Sequence, residues 1–131
     1  MPLRQAACTC GQLTATTATE PGRISICHCL ACQWRTGSVF SAQARFPADS
    51  VTISGPSTTF VRVGDTGGRA RFHFCPVCGD TVYYVIEAQP ELVAIPIGAF
   101  ADPEFSPPFV SVYEERMHRW LQLPEGIERH D

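Results

Sequence analysis

The chain has 131 residues, 44% hydrophobic and 18% charged, with a formal net charge of −3 at pH 7 and a pI near 5.7. That length suits one domain over residues 1–131 with a modest core. No apolar run approaches the roughly 18 residues of a membrane span, and the acidic balance lacks the basic stripe that nucleic-acid phosphates require. All ten basic side chains are arginine, so no lysine is present to form a Schiff base with a carbonyl compound.

Eleven prolines and ten glycines punctuate short β-rich runs, and sustained helical periodicity is hard to find. Residues 3–8, 13–18 and 24–27 read as strands, with a turn at Glu20, Pro21 and Gly22. Residues 39–46 continue the pattern up to a break at Pro47, and 51–53 and 59–63 flank a turn at Ser54, Gly55 and Pro56. Asp65, Thr66, Gly67 and Gly68 read as a hairpin loop leading into 69–75. There Arg69, Arg71 and His73 alternate with Ala70, Phe72 and Phe74, which turns one face to a core. Residues 82–86 and 92–97 read as more uniformly buried strands, 109–113 as another, and 114–120 as either a short helix or an extended segment. Phe72, Phe74, Phe100 and Phe109 read as core. The expected architecture is mainly β.

Seven cysteines fall into three clusters: Cys8 and Cys10 before Gly11; Cys27, Cys29 and Cys32; and Cys75 and Cys78 before Gly79. An odd count, C-x-C pairs too short for easy internal bridging, and no apolar leader after Met1 argue against a secreted disulfide framework. Reduced cysteines in the cytoplasm, free to bind metal, fit better. The two glycine-terminated pairs form zinc-ribbon-like knuckles that together supply four thiolates, enough for a closed tetrahedral shell. Cys27, Cys29 and Cys32 supply three from a single turn and leave one position open. A competing partition pairs the middle cluster with Cys75 and Cys78 and leaves Cys8 and Cys10 outside. Seven thiolates with two zinc ions per chain would bring the net charge to about −6.

The ordered set of Cys8-Thr9-Cys10-Gly11, Cys27-His28-Cys29 with Cys32, Gly37-Ser38, Ser54-Gly55, Phe74-Cys75 with Cys78-Gly79, Gly98 to Pro103, and Trp120 before Leu123-Pro124-Glu125-Gly126 resembles the glutathione-dependent formaldehyde-activating enzyme family, which also includes centromere protein V. The resemblance covers nearly the whole chain. It implies small zinc-bearing domains of folded-over antiparallel sheets, a structural zinc at Cys8, Cys10, Cys75 and Cys78, and a catalytic zinc at Cys27, Cys29 and Cys32. The activity it implies joins glutathione to formaldehyde as S-hydroxymethylglutathione and is classed with carbon–sulfur lyases. The family's glutathione enzymes are longer, so fold and metal sites transfer further than the choice of thiol.

The partners expected are therefore a small-molecule thiol and an aldehyde, or their adduct. A zinc on three thiolates can bind an incoming thiol as thiolate at neutral pH. Trp34, Arg35, Gly37 and Ser38 follow the open site directly and are candidates to line its mouth, with His28 between two ligands and Trp120 as a cover. Each has a plainer role available: a packed imidazole for His28, a solvated cation for Arg35, a core ring for Trp120. The alternative function is a non-catalytic zinc module that binds a protein partner. The oligomeric state is not legible in the sequence.

Overall fold

The computed structural model describes residues 3–131. Its strands are β1 (Arg4–Ala7), β2 (Thr14–Thr17), β3 (Arg23–Cys27), β4 (Ser41–Pro47), β5 (Val51–Ser54), β6 (Thr58–Val63), β7 (Arg69–Phe74), β8 (Thr81–Ile86), β9 (Leu92–Pro96), β10 (Val110–Val112) and β11 (Glu128–Arg129). One α-helix, α1 (Leu30–Thr36), interrupts them, with 3₁₀ turns at Ala48–Ser50, Ile97–Phe100 and Glu114–Arg116. The protein is mainly β.

The strands form two sheets. One has three strands in the order β1-β2-β5, and the other has eight in the order β11-β10-β3-β4-β9-β8-β7-β6. Pairing is antiparallel throughout except where β10 runs parallel to β3 and to β11. The main core lies between the sheets: Ala6, Leu13 and Ala15 from the small one meet Ile24, Ala44, Phe46, Val93 and Ile95 from the large one. Alternation in β4 explains this division, because Ala44 and Phe46 share one face while Ser41, Gln43 and Arg45 point to the other.

That other face carries the chemistry. Its polar side chains sit under cover: Gln43 Nε2 donates to Ser25 Oγ at 2.8 Å, and Ser41 Oγ donates to Gln43 Oε1 at 2.8 Å. Satisfied partners remove most of the desolvation cost of burying Ser25, Gln43 and Ser41. Helix α1 lies against this region, anchored by Gln33, whose Nε2 donates to the carbonyls of His28 at 2.9 Å and Arg116 at 3.3 Å.

Several local expectations change. A helix at 30–36 was not foreseen, because seven residues make only two turns and show no period. Val82 to Ile86 alternates rather than being uniformly buried, since only Val82 and Tyr84 are buried. Phe109 is 50% exposed and is not core, whereas Phe72 and Phe100 are. The segment after Val112 forms a 3₁₀ turn and then loops. The expected turn at Ser54–Pro56 separates two strands as read, and it passes between sheets: β5 pairs with β2 in the small sheet, while β6 is the outer strand of the large one.

Candidate metal centres

The two knuckles meet. Gly11 N–H donates to the Cys8 carbonyl at 3.0 Å and Gly79 N–H to the Cys75 carbonyl at 2.9 Å, both glycines holding positive φ (81° and 83°). Those tight turns bring the sulfurs of Cys8, Cys10, Cys75 and Cys78 within 4.8 Å of one another. Cys10 Sγ lies 3.6 Å from Cys8 Sγ and 3.5 Å from Cys75 Sγ. Four sulfurs on a tetrahedral zinc at about 2.3 Å would stand about 3.8 Å apart, so this set fits. The second knuckle is clasped to the first by Asp80, whose carboxylate accepts the Thr9 N–H at 2.7 Å and the Thr9 hydroxyl.

Backbone donors prepare these sulfurs for a cation. Leu13 N–H donates to Cys8 Sγ at 3.3 Å and, as the leading cause, draws that thiol down to about 6. The Cys78 N–H, at 3.5 Å, also lowers the Cys75 thiol, against the opposing effect of burial.

The second cluster gathers Cys27, Cys29 and Cys32, again within 4.8 Å. Cys27 ends β3, Cys29 caps α1 by accepting the Cys32 N–H at 3.4 Å, and Cys32 sits one turn into the helix. Strand end and helix start thus aim three sulfurs at one point. A hydrogen bond from the Cys27 thiol holds Cys32 down to about 4 against burial, with smaller help from Ser41, Cys29 and the Arg62 charge. The same bond, with burial, pushes Cys27 up. A divalent cation would favour the deprotonated form of all three. Among the described residues no further Cys, His, Asp or Glu joins this group, so three ligands and an open position is the arrangement it offers.

The side chains expected near the open site are scattered. His28 is fully buried, its Nε2 3.0 Å from Ser111 Oγ, and burial lowers its affinity for a proton. Trp34 is 83% exposed and Trp120 is 68% exposed, so neither is a core ring; Trp120 stands edge-on to His118, which reaches Gln33 of α1. Gly37 and Ser38 are exposed beyond the helix end. Arg35 is not a free surface cation: its Cζ lies 4.9 Å from the Phe72 ring centroid and 5.7 Å from that of Tyr84. A cavity of about 670 Å³ touches Arg35 and Thr36 on one side and Cys8, Thr9 and Asp80 on the other, but none of Cys27, Cys29 and Cys32. Sequence reading missed Ser41, Gln43 and Arg62, which come from strands far from the cysteine motif and carry no local signal.

Fold and sulfurs together define a small, mainly β protein with one four-cysteine and one three-cysteine cluster, each able to hold a metal ion. A family model described as glutathione-dependent formaldehyde-activating enzyme matches residues 3–116. The chain belongs to that family, whose description is of a formaldehyde-activating, glutathione-related function. Among solved structures, the crystal structure of a Rhodobacter sphaeroides protein is similar in fold, with a TM-score of 0.57 and 18% identity over 79% of this chain and 91% of that one. No curated protein matches the chain. No helix among the described residues is long and apolar enough to cross a membrane.

Proposed function

We propose that the chain is a zinc-dependent enzyme of the carbon–sulfur lyase type that handles adducts of a small thiol and an aldehyde, as a single domain in the cytoplasm. The observation that carries this reading is the gathering of Cys27, Cys29 and Cys32 without a fourth protein ligand among the described residues. A purely structural site would close its shell, as Cys8, Cys10, Cys75 and Cys78 do.

Zinc at the three sulfurs would supply a centre that binds an incoming thiol as thiolate at neutral pH. The chain's own residues set the surroundings. Burial of Cys27 and Cys32 limits water beside the sulfurs. Ser41 sits against Cys32, and its single hydroxyl hydrogen can serve either Gln43 Oε1, which Ser25 helps hold, or the Cys32 sulfur. Gln33 ties the helix to the C-terminal segment and so keeps Cys32 in register with Cys27.

Titration calorimetry of the zinc-loaded chain with glutathione and with simpler thiols, in buffers of different ionisation heat, should show binding with proton release. Addition of formaldehyde should then give the hydroxymethyl adduct faster than in buffer alone, read by proton NMR exchange. Binding of simple thiols without preference for glutathione would leave the reaction class standing and change the substrate. If no thiol binds at millimolar concentration, the partner-binding zinc module becomes the better account.

A further inference from the structure

Four arginines lie on or over the sheet face that carries Cys27 and have no partner that accounts for them. In the large sheet Arg23 lies opposite Arg45, Arg45 opposite Ala94, Ala94 opposite Tyr84, and Tyr84 opposite Phe72. Arg62 lies opposite Ala70, two residues before Phe72. Directly opposed residues share a sheet face, and residues two apart do likewise. Arg23, Arg45 and Arg62 therefore stand on one face, and Cys27, four residues after Arg23, stands there too. Arg35 reaches the same rings from α1, and Arg62 Cζ lies 4.9 Å from the Phe72 centroid, the same distance as Arg35 Cζ.

These guanidiniums are left wanting. Of the five buried side-chain polar atoms without a hydrogen-bond partner among the described residues, four belong to this group: Nε of Arg23, Arg35 and Arg45, and Nη1 of Arg62. None of the four arginines is paired with a carboxylate among the described residues; the ion pairs of arginine involve Arg4, Arg69 and Arg129 instead. A buried donor without an acceptor costs about 1–3 kcal/mol, and native structures keep few. The faces of Phe72 and Tyr84 attract the cations, but a ring face offers no lone pair to an N–H donor. Like charges on one face also repel one another. An anion would relieve both problems together, and Arg35, three residues after Cys32 in α1, shares the Phe72 ring with Arg62.

Building on the reading of Cys27, Cys29 and Cys32 as a thiol site, we propose that this arginine face is the carboxylate-recognising half of the same site, so that the thiol handled is an acidic one held through Arg35 and Arg62 beside Phe72. A guanidinium fork matches a carboxylate with two parallel hydrogen bonds, a geometry that an ammonium cannot copy. Selection then rests on the carboxylate and not on the thiol, which every candidate shares.

The test compares three ligands on the zinc-loaded chain by titration calorimetry: mercaptosuccinate, 2-mercaptoethanol and thiol-free succinate. Mercaptosuccinate should bind at least about tenfold tighter than 2-mercaptoethanol, and succinate should bind measurably by itself. Arg62→Gln and Arg35→Gln should each weaken mercaptosuccinate about tenfold more than they weaken 2-mercaptoethanol, while Arg62→Lys recovers only part of the loss. The comparison among ligands needs no variant, so a misfolded substitution does not disarm it. Equal binding of the acidic and neutral thiols overturns the proposal and leaves the thiol site standing. Succinate binding that the Arg→Gln variants abolish, with 2-mercaptoethanol unbound and mercaptosuccinate no tighter than succinate, overturns the joint site and leaves the arginines as an anion site alone. Failure of all three ligands to bind overturns the proposal.

Discussion

The two sulfur clusters use the same side chain for different ends. Cys10 and Cys75 meet across a sequence separation of 65, so a metal on the knuckles would close a long loop. Cys27, Cys29 and Cys32 belong to one strand end and one helix start, so a metal there would close almost nothing. The surroundings differ to match. The knuckles are built from backbone donors and the Thr9–Asp80 clasp, whereas the three-cysteine cluster shares its sheet face with arginines and a ring pair, Phe72 stacked on Tyr84 at 4.6 Å. On this account stability resides in the first cluster and selectivity in the second.

The largest blow to that division should come from Cys75→Ala. Closing a loop of this length removes denatured-state entropy worth roughly 4 kcal/mol in the chain-entropy model, so the variant should melt far below the parent or not fold. Gly55→Ala strikes the same region from behind: Gly55 has a φ of +97°, and a Cβ there would lie 1.8 Å from the Gln12 carbonyl oxygen, beside the first knuckle. A cost of about 3 kcal/mol in a denaturant melt is expected, with the three-cysteine cluster untouched. Cys29→Ser separates the two regions most cleanly. Serine still caps α1, so stability should stay within about 1 kcal/mol of the parent, while thiol binding measured by calorimetry disappears.

The smallest effect belongs to Asp80. Hydrogen bonds from the Thr9 hydroxyl and then the Thr9 N–H hold its carboxyl below the usual range. A carboxylate with a depressed folded-state pKa adds stability above its unfolded pKa and loses it as pH falls through the folded one. The site is exposed and screened, so Asp80→Asn should cost only a few tenths of a kcal/mol at neutral pH. The difference between the two melting curves should close at the acid end. A large, pH-independent loss would mean that the clasp matters for some reason other than charge.

Much of this was legible in the chain because strands and metal knuckles are local patterns. In β7, exposed Arg69 and Arg71 alternate with Ala70 and buried Phe72 as the period of two requires. Gly11 and Gly79 hold the positive φ that their place after each cysteine pair suggested. Helix α1 was hidden because its cap is a thiol, Cys29, instead of the usual hydroxyl or carboxylate, and because it is too short for a moment to show. The parallel pairing of β10 with β3, and the use of Ser54–Pro56 to pass between sheets, depend on partners distant in sequence. Arg62 and Phe72 were illegible as neighbours of Arg35 for the same reason: only register across β6, β7 and β8 brings them to the ring pair that Arg35 reaches from α1.

The division between a stabilising and a selective cluster is tested most directly by graded chelation of the zinc-loaded chain. Metal content, far-ultraviolet circular dichroism and thiol binding would be followed on the same samples. The account predicts two steps: the first zinc leaves with all thiol binding and little change in the spectrum, and the second leaves with the fold. A first step that melts the strands while thiol binding persists in the remaining folded fraction, or a single step that removes both ions with the fold, would contradict it.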